Sequence, residues 1–84
     1  MVSNVETVFG QVLQRIRLSR ALTQEQLGFE SGLHRTYISL LERGRKSPSL
    51  NTLFQLGKAL RVSPSVILLE VEAALDNQRK SSPR

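Results

Sequence analysis

Eighty-four residues, 39% of them apolar, permit one domain with a small core. The chain has no cysteine, which excludes a disulfide framework and any cysteine-ligated metal site. No apolar run reaches the roughly 20 residues that span a bilayer and no signal-peptide pattern opens the chain, so a cytoplasmic protein without membrane attachment is expected.

The formal charge is +5, from 12 basic and 7 acidic residues. Its placement matters more than its size. The tail Arg79-Lys80-Ser81-Ser82-Pro83-Arg84 holds three positive charges, leaving 9 basic residues against 7 acidic ones elsewhere. The global charge is therefore a weak argument for nucleic acid. The local cluster Arg43, Arg45 and Lys46, with Arg35 nearby in sequence, is a stronger one.

A capping box of Ser3 and Glu6 predicts the start of a first helix, along which Val5, Val8, Phe9, Val12, Leu13 and Ile16 repeat at helical spacing. Arg15, Arg17 and Arg20 gather toward its C-terminus, where cations complement the helix dipole. Thr23 and Gln26 form a second capping box. Leu27 should face inward, Gly28 allows a neighbouring helix to come close, and Gly32 supplies a turn.

A third helix is predicted from about Arg35 to Arg43, with Ile38 and Leu41 inward and Gly44 as a left-handed terminator. Arg45-Lys46-Ser47-Pro48 then reads as a loop. Ser49 caps a fourth helix with the stripe Leu50, Leu53, Leu56 and Leu60. Ser63-Pro64 opens a fifth, carrying Val66, Ile67, Leu68, Leu69, Val71, Ala74 and Leu75. The expectation is an all-α, five-helix domain over residues 1–77, followed by a disordered basic Ser/Pro tail over 78–84.

The third helix carries the chemistry. Arg35, Thr36 and Ser39 lie on or near one face, away from Ile38 and Leu41. An arginine can donate two hydrogen bonds to a guanine edge, and a threonine can meet a thymine methyl or a base acceptor. Thr23, Gln24 and the free amides opening the second helix suit a phosphate.

The segment TQEQLGFESGLHRTYISLLERG resembles the helix-turn-helix of the lambda-repressor-like (XRE, or Cro/C1) family, and the resemblance extends from about Val8 to Leu69. The runs RTYIS and ERG are similar to the short stand-alone controller proteins of restriction–modification systems. The resemblance implies a compact five-helix fold with the helix-turn-helix at helices two and three. It further implies a sequence-specific transcriptional regulator that binds double-stranded DNA with its recognition helix in the major groove. By motif position, Arg35 and Thr36 would read bases, with Ser39 or Leu40 further along the groove, and Gln24 would touch a phosphate or a base. Tyr37, Arg43, Lys46, Ser47, Asn51 and Thr52 would hold the backbone, with Thr23, His34 and Arg45 beside them. Arg17 and Glu42 occupy the positions of a structural ion pair.

Three positions depart from the family pattern. Ala21 and Arg61 stand where glycine often ends a helix, and a left-handed conformation at either costs on the order of 1 kcal/mol. His34 replaces the usual Ser, Thr or Asp cap of the recognition helix, so either that end is weakly capped or the imidazole takes a cap or phosphate role.

The fifth helix has more apolar positions than one stripe requires. Either all are buried against helices one and four, or part is exposed for a two-fold contact. The favoured reading is a homodimer on a palindromic operator, joined through Leu68, Val71 and Leu75. The rival function is an antitoxin or adaptor that uses the same helices to bind protein. Enzymatic activity is not expected, because the single histidine lacks partners at a catalytic spacing. No cofactor, metal or small-molecule ligand is expected.

Overall fold

A computed structural model describes residues 5–81. Five helices follow one another: α1 (Val5–Ser19), α2 (Gln24–Ser31), α3 (Arg35–Glu42), α4 (Leu50–Leu60) and α5 (Pro64–Ser81). The described residues contain no strand. The predicted cap Ser3 lies outside the described residues.

The helical spacing read in the sequence becomes the core. Val8, Phe9, Val12, Leu13 and Ile16 of α1 are buried against Leu27, Ile38, Leu41, Leu53, Leu56, Leu60, Ile67 and Val71. Each such side chain contributes roughly 1.5–3 kcal/mol when fully removed from water. α1 packs on α3 and α5, α2 on α3 and α4, and α4 on α5. The short α2 and α3 are therefore held by longer helices rather than by their own length.

Two members of the stripes predicted for α1 and α4 are not in the core. Val5 is 50% exposed and Leu50 is 75% exposed. Both begin their helices, so their side chains project past the end of the packed face. α3 stops one residue earlier than predicted, with Arg43 as its C-cap. α5 continues through Ser81 and so enters the segment assigned to the tail, since no proline or glycine interrupts it after Pro64.

The turn between α2 and α3 is built as the sequence suggested. Gly32 adopts φ 77°, and its N–H donates to the Gly28 carbonyl. Ala21 and Arg61 are both left-handed, at φ 58° and 59°. These are the two strained positions that glycine would relieve.

Candidate nucleic-acid interface

The second helix begins with a complete capping box. The Thr23 hydroxyl accepts from the Gln26 amide at 3.0 Å, and the Gln26 side chain accepts from the Thr23 amide at 2.8 Å. Thr23 is exposed and Gln24, the first helical residue, is half-buried. Gln24 Nε2 donates to Glu42 Oε1 at 2.9 Å.

His34 resolves the choice left by the sequence. Its Nδ1 accepts from the Thr36 amide at 3.0 Å, so the imidazole is the cap of α3. His34 is exposed, as are Arg35 and Thr36 beside it. Ile38 and Leu41 on the same helix are fully buried, which fixes the orientation of the exposed edge. Arg35 lies 3.5 Å from Glu25 in a solvent-exposed pair. Such a pair contributes about 0–1 kcal/mol and is easily exchanged for another acceptor. Ser39 and Leu40 are half-buried further along.

Arg43, Arg45 and Lys46 are exposed on the loop after α3. The loop is pinned at its root, where the Gly44 and Arg45 amides donate to the carbonyls of Leu41 and Leu40 at 3.1 and 2.9 Å. It is pinned again at Ser47, whose exposed hydroxyl donates to Glu6 at 2.8 Å. The three cations thus stand on a defined backbone beside α3.

Thr52 is more buried than the other residues predicted to hold the backbone. It is 6% exposed, and its hydroxyl accepts from Ser49 at 3.0 Å and lies 3.4 Å from the Tyr37 hydroxyl. At the start of α4 its hydroxyl thus faces Ser49 and Tyr37. Tyr37 is half-buried, with its ring against the core and its hydroxyl at this network. Asn51 is exposed at the first turn of α4.

Arg17 and Glu42 form the expected pair, and it is buried. Arg17 Nε donates to Glu42 Oε2 at 2.6 Å and Nη2 to Oε1 at 3.0 Å, with side chains 8% and 3% exposed. Arg17 Nη1 also donates to the Leu22 carbonyl at 2.8 Å. The Gln24–Glu42 and Ser47–Glu6 bonds join residues far apart in sequence, and no periodicity or local motif foretold them.

Leu68 and Leu69 of α5 are 46% and 61% exposed along a shallow groove bordered by Ser65, Val71, Glu72 and Leu75. Val71 is 5% exposed and belongs mainly to the core. The outward face predicted for Leu68, Val71 and Leu75 is therefore carried by Leu68, the neighbouring Leu69 and half-buried Leu75. Among the described residues no three His, Cys, Asp or Glu side chains gather as a metal site, and no helix is long and apolar enough to cross a membrane.

A helix-turn-helix family profile matches residues 13–67. The control protein C.BamHI of Bacillus amyloliquefaciens is 46% identical over 69 residues, covering 81% of this chain and 85% of that protein. The control protein C.SmaI of Serratia marcescens is 38% identical over 65 residues, 77% of each chain. Among solved structures, the wild-type restriction-modification controller protein C.Esp1396I superposes with a TM-score of 0.82 at 32% identity, covering 90% of this chain and 99% of that one. The controller protein C.AhdI of Aeromonas hydrophila gives 0.71 at 39% identity, over 73% and 92%. The chain belongs to the lambda-repressor-like (XRE-type) helix-turn-helix family of DNA-binding transcriptional regulators.

Proposed function

We propose that this protein is a homodimeric regulator that reads a palindromic operator with one α3 in each of two major grooves. The observation that carries the reading is the exposed Arg35–Thr36 edge, held on a helix whose other face is fully buried. Arg35 and Thr36 read base edges, and Ser39 reaches further along the groove. Thr23, Gln24, His34, Tyr37, Asn51 and the loop cations Arg43, Arg45 and Lys46, with Ser47, hold the flanking backbone.

Joining two copies through the outer face of α5 would place the reading heads about 34–36 Å apart, one turn of duplex. The likeness to control proteins of restriction–modification systems supports a short stand-alone regulator acting in the cytoplasm through its own concentration and operator occupancy. Regulation of this kind requires no enzymatic activity.

Selection of bound duplexes from a random library tests the proposal. Enrichment of one two-fold symmetric sequence, with affinity falling steeply as salt rises, is the expected outcome. Binding without sequence preference would favour a protein-binding module, and a single half-site would remove the dimer.

A further inference from the structure

We infer that Glu42 is a positioning residue for DNA binding: its buried carboxylate fixes the side-chain amide of Gln24 so that the amide nitrogen presents its second N–H to an acceptor on the duplex. The inference rests on the DNA-binding reading above. It gives the Arg17–Glu42 pair a role beyond joining α1 to α3.

Glu42 Oε1 accepts from Arg17 Nη2 at 3.0 Å and from Gln24 Nε2 at 2.9 Å, while Oε2 accepts from Arg17 Nε at 2.6 Å. A carboxylate held by a guanidinium accepts hydrogen bonds and donates none. The Gln24 amide must therefore meet it nitrogen-first, since the opposite flip would set a carbonyl oxygen against the anionic oxygens. One N–H is consumed in this way. The nitrogen has a second N–H, and the amide oxygen remains beside it.

Gln24 is half-buried at the first position of α2, where the opening backbone amides lack helical partners. The second N–H thus belongs to a side chain at the helix start, beside the backbone donors there. Its rotamer is set before DNA arrives, which lowers the ordering cost of the contact. The complementary chemistry is a hydrogen-bond acceptor, either a phosphate oxygen or an acceptor on a base edge. For a base, the adjacent N–H and C=O match the paired acceptor and donor of adenine.

A double-mutant cycle of Glu42→Gln and Gln24→Ala, read as affinity for the library-selected duplex with every protein shown to be folded, tests the assignment. Each single change should weaken binding about three- to tenfold, and Glu42→Gln should cost clearly less in the Gln24→Ala background than in the wild type. Effects that multiply would overturn it, because a merely structural Glu42 acts regardless of Gln24.

Glu42→Gln also weakens the bond to Arg17, so the wild-type protein supplies an independent arm. Nitrogen-15 NMR should show one Gln24 side-chain amide proton shifting on duplex addition while its partner stays in place. Movement of both protons, or of neither, counts against the inference. A loss in Gln24→Ala that is uniform across duplexes and reduces the salt slope assigns phosphate, whereas a loss confined to duplexes with adenine at one position assigns the base edge. Absence of any duplex preference in the wild type overturns the DNA-binding reading itself. Multiplying effects on a wild type that does discriminate overturn only this assignment.

Discussion

Gly10 in α1 and Glu42 at the end of α3 meet backbone to backbone: a Cβ at Gly10 would lie 2.5 Å from the Glu42 carbonyl oxygen and equally close to that of Leu41. No flexible side chain stands there to give way. Gly10→Ala gains roughly 1 kcal/mol of helix propensity but forces α1 and α3 apart at the tie that orients the recognition helix. A net loss of about 2 kcal/mol is expected, read as a lower urea midpoint at an unchanged slope. Unaltered stability would mean that the helices separate freely.

Ala21 and Arg61 give the opposite sign. Both are exposed and left-handed, so a side chain is strained there whatever the space around it. Glycine removes that strain but adds freedom to the unfolded chain. The balance favours the native state by about 0.5–1 kcal/mol, so Ala21→Gly and Arg61→Gly should each raise the melting temperature by several degrees. A fall for Arg61→Gly would show that the contacts of its side chain outweigh the backbone term.

Removing one member of the buried ion pair should be severe. Arg17→Met leaves the Glu42 carboxylate interior without its guanidinium, at a cost of about 3–5 kcal/mol. Replacing both residues with apolar ones removes the stranded charge. Arg17→Met with Glu42→Leu should therefore be more stable than Arg17→Met alone in chemical denaturation. Equal stability would indicate that water reaches Glu42 in the single variant.

Arg35 and Lys46 should separate specificity from general attraction. Arg35→Ala is expected to lose about 1–3 kcal/mol of operator affinity and to relax preference at one base pair. Lys46→Ala should weaken operator and random duplex alike and flatten the dependence of affinity on salt by about one unit of slope. Titrations of both duplexes at several salt concentrations make the distinction. An Arg35→Ala protein with intact affinity and preference would place α3 differently in the groove.

Much of this was legible because the signals are local. Capping residues, glycine turns and helical spacing located all five helices, and Ile38 with Leu41 fixed which edge of α3 faces outward. The failures arise where a long-range contact decides a residue's environment. Thr52 resembles an exposed polar residue at a helix start until Tyr37, 15 positions away, and Ser49 enclose its hydroxyl. Gly10 sits in a helix interior with no local reason for glycine, and only the approach of α3 supplies one. Val71 shares the apolar character of Leu68, yet the turn of α5 points one inward and leaves the other half-exposed. Nothing in a single sequence sets that rotation.

The outer face of α5 provides the last prediction. Leu68 and Leu69 are exposed apolar side chains beside half-buried Leu75, whereas Val71 is already part of the core. Leu68 also borders a second apolar hollow with Val5, Phe9, Pro48 and Leu53, so the apolar surface continues from α5 toward the start of α1. Covering it with a second copy would remove this surface from water at roughly 25 cal/mol per Å². Leu68→Lys puts a charge in that contact without disturbing Ile67 or Val71. Sedimentation should show the wild type as a dimer at micromolar concentration and Leu68→Lys as a folded monomer. Operator affinity should fall with the loss of the second reading head, while binding to a half-site should survive, because Arg35 and Thr36 lie on another element. A wild type that sediments only as a monomer, or a Leu68→Lys protein that still dimerises, would move the contact away from this face.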